Sequence, residues 1–527
     1  MKPMRVTAVL TLLLLLAVAV AAAGDVRSAG ASGTKVKGNW TSPSTWFGGT
    51  LPAAGDNVTI TDGDSVTIDT TAVVGDLTIG DGLDTTTALI FSSAKAVKLS
   101  VTGNLLVNTG STFRCTGGAT APIIDTLFIY RDFVNEGKIL DFRTGSGPNY
   151  GVCYVVFVGT ENSTFTSKSP AGSTSNEFNG ITFDKTGPAR IFLGSDITLA
   201  GGSSTYPATN AYIHFKNGIV ETGSHTLIHQ STSSTTYIGG SSASYVIGWL
   251  GRGMSSSGTA SRDYAVGDAD GYRPINVRSA STGSATGHYL AVSVVRGNAA
   301  ARTPTYAGGI DKVSNVRYYK IRYQQGTGTS PPAASMKFDR FRPSYHQNDG
   351  VAAGNSNLRG AYSTDSLLTW TGLGQVVVQD TTKFTDPPSY WRTDSLAAAS
   401  QINLNSGQSA WIAIARASGS TENTLVFTPV AVEETGTGIP ETFALDQNYP
   451  NPFNPATVIG FSIPREGHVT LEVFNLLGQA VGLLVDEEMT PGSYRARFDA
   501  SDFASGLYLY TLRWGSKTLT GKMMLVR

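Results

Sequence analysis

The chain has 527 residues, enough for several domains rather than a single core. Its 39 lysines and arginines balance 39 aspartates and glutamates, which argues against a nucleic-acid-binding protein with a basic excess. The 60 glycines and a charged fraction of only 15% argue against helix-rich and coiled-coil proteins, and they favour short strands joined by tight turns.

The N-terminus has the layout of an export signal. Lys2 and Arg5 give a basic start, residues 6–20 are almost wholly apolar, and small residues follow just before Gly24. Such a succession describes a secretory signal peptide. The apolar run is shorter than the roughly 20 residues that a membrane-spanning helix needs. The sequence therefore predicts a signal peptide over residues 1–23, Sec export through the periplasm and a mature chain that begins near Gly24.

Two tryptophans, Trp40 and Trp46, precede Pro52 and the strand-like segment Gly55-Asp56-Asn57-Val58. This arrangement resembles the N-terminal cap of exported bacterial β-helix proteins. The resemblance implies that residues 24–57 cover the first turn of a solenoid, whose open strand edges need protection. A pair of stacking platforms for a sugar is the alternative use of the two indole rings.

A strand-and-turn motif recurs in the next part of the chain. The segment Gly75–Gly82 is echoed by Gly103–Gly110, and a shorter copy spans Asp132–Gly137. The closing glycines lie 28 and then 27 residues apart, and each copy has apolar residues two apart, on one face of a strand. One such unit cannot bury its apolar face alone, whereas stacked units share a core. The pattern predicts a right-handed parallel β-helix over residues 58–240, with a long-looped β-sandwich as the alternative.

Few residues of the predicted solenoid suggest chemistry. Parallel β-helices include polysaccharide lyases and hydrolases, and Asp184, Lys185 and Arg190 could supply an acid or a base, although solvated turn residues have the same spacing. Cys115 and Cys153 are the only cysteines. Pairing between them is open to an exported protein, and two separate buried thiols are the alternative. No catalytic residue, metal or cofactor is predicted, because the six histidines form no ligand motif.

Residues 241–432 no longer show the repeat and contain longer alternating segments, which predict a β-sandwich-like region. The stretch from Val266 to Pro274 resembles part of a β-sandwich that often precedes the C-terminal domain of exported bacterial proteins. Asp268, Asp270 and Gly271 look like part of a calcium loop, but the later ligands of such a loop are missing. Turn chemistry is the favoured explanation of these three residues.

The C-terminal part follows a polar linker at residues 433–441. The prolines of residues 450–455 exclude a regular helix and give an extended start. Residues 468–473 alternate polar and apolar side chains, as a half-buried strand requires, and residues 475–478 have the composition of a turn. These features predict a small antiparallel, Ig-like sandwich over residues 442–527.

These blocks, in this order, closely resemble the type IX secretion system type A C-terminal sorting domain. The resemblance implies recognition by the outer-membrane secretion machinery, often followed by removal of the domain and attachment of the passenger to surface lipopolysaccharide. A spacer module of similar fold is the alternative. The resemblance assigns sorting or folding roles, none of them catalytic, to Asn448, Tyr449, Pro450, Asn451, Pro452, Phe453, Asn454, Pro455, Asn475, Gly478, Gly506, Tyr508 and Lys522.

The predicted architecture is therefore all-β: a right-handed parallel β-helix, a β-sandwich and a small C-terminal Ig-like sorting domain. The favoured function is that of a secreted or outer-membrane-attached surface protein whose passenger acts non-enzymatically, in adhesion or in matrix or glycan contact. A secreted polysaccharide lyase or hydrolase on the same scaffold is one alternative, and an architectural envelope component is another. The sequence leaves enzymatic activity open, and no nucleic-acid partner is expected.

Overall fold

The computed structural model of the chain describes residues 23–29, 35–82, 86–116, 123–140, 143–144, 151–168, 178, 180–199, 212–231, 236–254, 257–269, 271–282, 288–300, 304–324, 336–345, 358–373, 389–390, 401–420, 425, 433–434, 440–476, 478, 480–500, 505–515 and 517–526. The predicted signal peptide falls outside these residues except for its last position. Within them, the regular structure consists of strands and two short 3-10 turns, at Pro43–Thr45 and Phe47–Gly49. No helix in the described ranges is long and apolar enough to cross a membrane.

Short strands dominate the first half of the chain. They are β1 (Asp25–Arg27), β2 (Lys37–Asn39), β3 (Asn57–Ile60), β4 (Ser65–Ile68), β5 (Ala72–Val74), β6 (Leu77–Ile79), β7 (Ala88–Phe91), β8 (Lys98–Val101), β9 (Leu105–Val107), β10 (Thr112–Arg114), β11 (Ile123–Ile129), β12 (Phe133–Asn135), β13 (Lys138–Leu140), β14 (Arg143–Thr144), β15 (Gly151–Gly159), β16 (Ser163–Ser167), β17 (Gly180–Lys185), β18 (Arg190–Leu193), β19 (Ile197–Leu199), β20 (Tyr212–Asn217), β21 (Ile219–His229) and β22 (Tyr237–Gly239).

Apart from β14, which pairs antiparallel with β15, these strands stack in parallel into three sheets, which confirms the predicted β-solenoid. The first sheet follows β1, β3, β6, β9, β12, β16, β18 and β21. The second follows β2, β4, β7, β10 and β13, and the third follows β5, β8, β11, β15, β17, β20 and β22. In the first sheet Leu77 pairs with Leu105, and Leu105 pairs with Phe133. Each of these steps is one copy of the sequence repeat, so one repeat makes one turn.

The solenoid interior is filled by the alternate residues of each strand. Leu77, Leu105 and Phe133 are fully buried and stack above one another at successive turns. Burial of one such side chain contributes about 1.5–3 kcal/mol. Phenylalanine rings then continue the column, with the centroids of Phe133 and Phe165 5.4 Å apart and their planes 20° from parallel. The two-residue period found in the sequence is the period of this core.

The first turn carries the two tryptophans of the predicted cap. Trp40 is 3% exposed and Trp46 is 2% exposed, and the two rings meet edge to face with centroids 5.0 Å apart. The indole N–H of Trp46 donates to the carbonyl of Trp40 at 2.8 Å. Both rings are part of the solenoid core, so neither offers a face to a sugar.

The middle of the chain has longer strands. They are β23 (Val246–Gly253), β24 (Ser257–Tyr264), β25 (Val266–Asp268), β26 (Gly271–Tyr272), β27 (Ile275–Thr282), β28 (Tyr289–Arg296), β29 (Thr305–Ala307), β30 (Ile310–Val313), β31 (Arg317–Gln324), β32 (Met336–Tyr345), β33 (Leu358–Ser363), β34 (Thr369–Gly372), β35 (Ser389–Tyr390), β36 (Ile402–Leu404) and β37 (Ser409–Ala417).

Strand β23 joins the solenoid to the sandwich. Its residues pair in parallel with β21 on one side and antiparallel with β28 on the other. The first sheet therefore runs on without a break through β28, β31, β37 and β33. A second antiparallel sheet of β24, β27 and β32, extended by β35 and β36, packs against it. One buried apolar cluster extends from Trp40 to Ile412, so the solenoid and the sandwich share a core.

The C-terminal module has a core of its own and two four-stranded sheets. Its strands are β38 (Glu433–Glu434), β39 (Ala444–Leu445), β40 (Ala456–Ile463), β41 (Gly467–Phe474), β42 (Ala480–Met489), β43 (Gly492–Asp499), β44 (Gly506–Trp514) and β45 (Lys517–Leu525). All pairings between these strands are antiparallel, in agreement with the predicted sandwich. The predicted turn at residues 475–478 closes through the N–H of Gly478, which donates to the carbonyl of Asn475 at 3.0 Å.

Candidate functional site

The Pro-rich segment of the C-terminal module, residues 448–455, lies along the last strand, β45. The N–H of Phe453 donates to the carbonyl of Met524 at 2.9 Å, and the N–H of Val526 donates to the carbonyl of Phe453 at 3.0 Å. Asn451 Oδ1 accepts the N–H of Met524 at 2.9 Å. These hydrogen bonds hold the start and the end of the module's sequence side by side.

Asn448 organises the start of this segment from a buried position. Its Nδ2 donates to the carbonyl of Pro450 at 3.0 Å and to Thr457 Oγ1 at 2.9 Å. Its backbone N–H donates to the hydroxyl of Tyr510 at 3.1 Å, and that hydroxyl donates to the carbonyl of Asp446 at 2.8 Å. These bonds give partners to the side-chain amide nitrogen and to the backbone N–H of Asn448, as burial requires.

The residues assigned by resemblance divide by exposure. Asn448, Phe453 and Tyr508 are buried, and Asn475 and Gly506 are half-buried. The others are exposed: Tyr449, Pro450, Asn451, Pro452, Asn454, Pro455, Gly478 and Lys522. Tyr449 is 81% exposed, although a tyrosine ring usually buries most of its surface. The buried members hold the fold, and the sorting role of the exposed members stays a prediction.

In the solenoid, the outer face of the third sheet carries several apolar side chains. We call it the aromatic face, and it consists of Val73, Ile124, Phe128, Tyr154, Val156, Tyr212 and Ile238. Val73, Ile124 and Ile238 are between 40% and 45% exposed. The four others are half-buried.

Strand register arranges this face in rows that cross the solenoid turns. One row runs Val73, Ser100, Phe128, Val156, Thr182, His214 and Ile238. A second row runs Lys98, Thr126, Tyr154, Gly180 and Tyr212. Apolar and hydroxyl-bearing side chains therefore share a flat surface whose strands lie about 4.8 Å apart.

A glycine sets the position of the two tyrosines in the second row. A Cβ at Gly180 would lie 2.5 Å from ring atoms of both Tyr154 and Tyr212. Without one, the rings close over the backbone edge to face, with centroids 4.7 Å apart at 80°. The hydroxyl of Tyr212 lies 3.2 Å from Thr182 Oγ1. A fixed aromatic platform is the result, and the sequence did not indicate it because its three components come from separate turns.

The three residues that suggested acid–base chemistry have structural partners. Lys185 is 1% exposed, and its ammonium donates to the carbonyls of Tyr130 and Val158, both at 2.7 Å. Burial lowers the pKa of Lys185 to about 8. Asp184 Oδ2 accepts a hydrogen bond from Lys216 Nζ at 2.6 Å, and Arg190 forms an ion pair with Glu221. These side chains tie neighbouring turns together and do not meet in a shared site.

The two cysteines lie inside the solenoid, close to a buried carboxyl. Asp125 Oδ1 accepts the N–H of Val97 at 2.9 Å, and its Oδ2 has no hydrogen-bond partner. Burial raises the pKa of Asp125 to about 7. Cys153 is the register neighbour of Asp125 on β15. Burial, with the negative charges of Cys115 and Asp125, raises the pKa of Cys153 well above its usual value. Both cysteines are buried, and a disulfide and two separate thiols both stay open as alternatives.

The carboxyl that suggested a calcium loop is bound within the protein. Asp268 and Arg317 form an ion pair, and both side chains are almost fully buried. The positive guanidinium of Arg317 compensates the buried negative charge of Asp268, which gives this carboxylate a structural partner. Asp270 lies outside the described residues.

A cleft of about 900 Å³ opens beside the first turns of the solenoid. Arg27 lines it with its guanidinium 4.4 Å from the ring centroid of Phe47, which is 54% exposed. Its other lining side chains include four aspartates, at positions 25, 56, 62 and 81. Asp56 binds the backbone N–H groups of Gly24 and Ala53, both at 2.8 Å. The cleft gathers carboxylates, but Asp56 already stabilises the backbone, Asp62 accepts the N–H of Asp81 at 2.6 Å, and Asp25 accepts the side-chain amide of Asn57 at 3.1 Å.

Comparison with known families identifies the C-terminal module. Residues 447–526 match the family described as the secretion system C-terminal sorting domain. This match covers the Pro-rich segment, residues 448–455, and strand β45, and it agrees with the resemblance found in the sequence. No curated protein and no solved structure matches the chain significantly. The type IX sorting domain marks the protein as exported, to the cell surface or beyond it, and as a client of the type IX secretion machinery.

Proposed function

We propose that the exported protein contacts a polysaccharide of the cell surroundings through the aromatic face, without chemical turnover. The predicted signal peptide supports Sec export through the periplasm as the first step of the route. The resemblance of the sorting domain supports attachment of the passenger to surface lipopolysaccharide as the last step. The solenoid would then present its third sheet outside the cell.

The observation that carries this proposal is the pair of tyrosine rings over Gly180, set among threonine and serine hydroxyls. A sugar ring has an apolar face and a rim of hydroxyls, so a surface that mixes rings and hydroxyls complements it. The rows extend this mixture across seven strands of the third sheet, which suits a long polymer better than a small molecule. Contact without catalysis is favoured because the candidate acid and base residues hold neighbouring turns together.

The test uses the chain from Gly24 onward with a panel of plant, algal and bacterial polysaccharides. Retention on each polymer and release of shorter products are recorded in the same assay. We expect retention without release, and the Tyr154→Ala/Tyr212→Ala variant should bind roughly tenfold more weakly. Tyr449→Ala is the matched control, because it removes an exposed tyrosine ring from the C-terminal module. Equal binding by the double variant would rule out the aromatic face as the contact surface.

The cleft beside Arg27 favours a second candidate function, hydrolysis of a polysaccharide. Glycoside hydrolases use two carboxyl groups on either side of the scissile bond, and the cleft has four. This candidate would be supported if the protein released shorter products and if Asp62→Asn or Asp25→Asn abolished that release. If the protein neither binds a polymer nor releases shorter products, an architectural role in the envelope becomes the favoured function.

A further inference from the structure

Two tryptophans and two cations form a row on the outer face of the first sheet, where the solenoid passes into the sandwich. We call it the cation–indole row, and it consists of Trp249, Lys320, Arg322 and Trp411. All four side chains are half-buried. They come from β23, β31 and β37, which antiparallel pairing brings side by side with β28 between the first two.

The ammonium of Lys320 lies between the two indole rings. Its Nζ is 5.8 Å from the ring centroid of Trp249 and 5.7 Å from that of Trp411. The guanidinium of Arg322 lies 4.6 Å from the centroid of Trp249. Positive groups within about 6 Å of a ring face are attracted to it, so the rings hold both cations at fixed positions on the sheet.

Small residues beneath the row leave room for these large side chains to lie across the sheet. Gly251 pairs with Ala291, and Ala291 pairs with Arg322. Ser293 pairs with Lys320 in the next position. Ala291 and Ser293 are buried although they lie on the outer face, because larger side chains cover them.

Among the described residues, no carboxylate forms an ion pair with the cations of the row. Within the part of the chain that the structure describes, neither Lys320 nor Arg322 forms an ion pair. The hydrogen bond of Arg322 is a long one, from its Nη2 to Thr226 Oγ1 at 3.4 Å, and its Nε is buried with no acceptor. By contrast, Arg190, Arg278, Arg317 and Arg416 are all paired with carboxylates. Two unpaired positive charges held at fixed positions complement an anionic ligand.

We propose that the cation–indole row binds an anionic polysaccharide, one whose sugars carry carboxylate or sulfate groups. The indole faces would contact the apolar faces of sugar rings, and Lys320 and Arg322 would contact the acidic groups. A polysaccharide is favoured over a nucleic acid because the protein is exported and its positive and negative residues balance at 39 each. This site is separate from the aromatic face and binds a charged ligand, so it does not depend on the proposed function.

The test measures binding of the chain from Gly24 onward to polygalacturonate and to chondroitin sulfate, with dextran as the neutral polymer and duplex DNA as a second polyanion. We expect binding to one or both acidic polysaccharides at about 50 mM salt and much weaker binding at about 500 mM, because salt screens exposed charges. Lys320→Gln/Arg322→Gln should weaken this binding about tenfold or more. Trp249→Ala should weaken it as well. Lys168→Gln is the matched control, because it removes an exposed lysine that pairs with Glu136 elsewhere on the solenoid.

Unchanged binding of both acidic polymers by the Lys320→Gln/Arg322→Gln variant, or no binding of either by the native chain, overturns the proposal. DNA binding as tight as that of the acidic polysaccharides also overturns it, because the site would then select charge alone. Unfolding midpoints of all variants establish that each is folded before its binding is compared. Loss of neutral-polymer binding in Tyr154→Ala/Tyr212→Ala, with acidic binding intact, separates this site from the aromatic face.

Discussion

Asp76 Oδ1 accepts a hydrogen bond from the backbone N–H of Asn104, one turn later in the solenoid, at 2.6 Å. The same relationship recurs along one corner, since Asn57 Oδ1 accepts the N–H of Asp76 at 3.0 Å and Asp132 Oδ1 accepts the N–H of Thr164 at 2.6 Å. A Cβ at Gly103 would overlap the Asp76 carboxylate. The repeated Gly-Asp and Gly-Asn pairs therefore form this corner, in which the Asp or Asn side chain accepts a backbone N–H of the next turn.

This corner gives the first prediction, which concerns stability. Asp76→Ala removes the acceptor of the Asn104 N–H and should lower the free energy of unfolding by about 1 kcal/mol. Asp76→Asn keeps an acceptor oxygen at the same place and should stay close to the native value. Chemical denaturation of the two variants beside the native chain measures the difference. Equal losses in the two variants would mean that charge, rather than the hydrogen bond, matters at this corner.

How far the sequence predicts the structure depends on how local each feature is. Leu77, Leu105 and Phe133 recur at a nearly constant spacing, so periodicity alone predicted the stacked turns. The cation–indole row has no such signal, because Trp249 and Trp411 come from distant strands joined only by antiparallel pairing. Lys185 was an acid–base candidate by composition, and only its contacts with two backbone carbonyls reveal a structural role. The sorting module was predictable because each block of its motif is a short continuous stretch and the blocks follow one another in a fixed order.

The buried carboxyl of Asp125 predicts a pH dependence of stability. Its pKa is about 7 in the folded protein and 3.8 as the ordinary value. Between these pH values the folded state holds a proton that the unfolded chain has lost, so stability falls as pH rises from about 4 to about 7. Asp125→Asn cannot ionise, so it should flatten this fall and raise the free energy of unfolding at pH 8 by roughly 2–4 kcal/mol. Denaturation at a series of pH values measures both effects.

Asp184 provides the control for this measurement, since its carboxylate lies on the surface of the same solenoid. Burial alone would raise the pKa of Asp184, but hydrogen bonds from Lys216 and Asn217 outweigh that effect and lower the pKa. Asp184→Asn should therefore reduce stability at pH 8, the opposite of Asp125→Asn. An Asp125→Asn variant that is less stable than the native chain at pH 8 would show that the carboxylate is stabilising there.

Lys185 yields a prediction with the reverse pH dependence. Its pKa is about 8 in the folded protein, below the ordinary 10.5, so the folded state loses its proton first as pH rises. The contribution of Lys185 to stability should therefore increase between about pH 8 and pH 10.5. Lys185→Met should remove this rise, and at pH 7 it should lower the free energy of unfolding by about 1–3 kcal/mol, because two carbonyls lose their donor. Denaturation at pH 7 and pH 10 is the measurement, and an unchanged rise in the variant would assign it to another group.

The C-terminal module allows folding and recognition to be separated with two tyrosines. Tyr510→Phe removes the hydroxyl that joins Asp446 to Asn448, and it leaves the buried N–H of Asn448 without its acceptor. The variant should lose about 1–3 kcal/mol of stability, and its Pro-rich segment should be cut faster by proteases. Tyr449 has an 81% exposed side chain, so Tyr449→Ala should leave both properties unchanged.

The same two variants test recognition. If the exposed part of the segment binds the secretion machinery, the Tyr449→Ala protein will accumulate inside the cell as a folded, protease-resistant chain. The Tyr510→Phe protein will accumulate only in proportion to the fraction of its C-terminal module that is unfolded. The two variants are compared by the fraction of protein secreted and by protease resistance of the retained fraction, and normal secretion of Tyr449→Ala would exclude this tyrosine from the recognition surface.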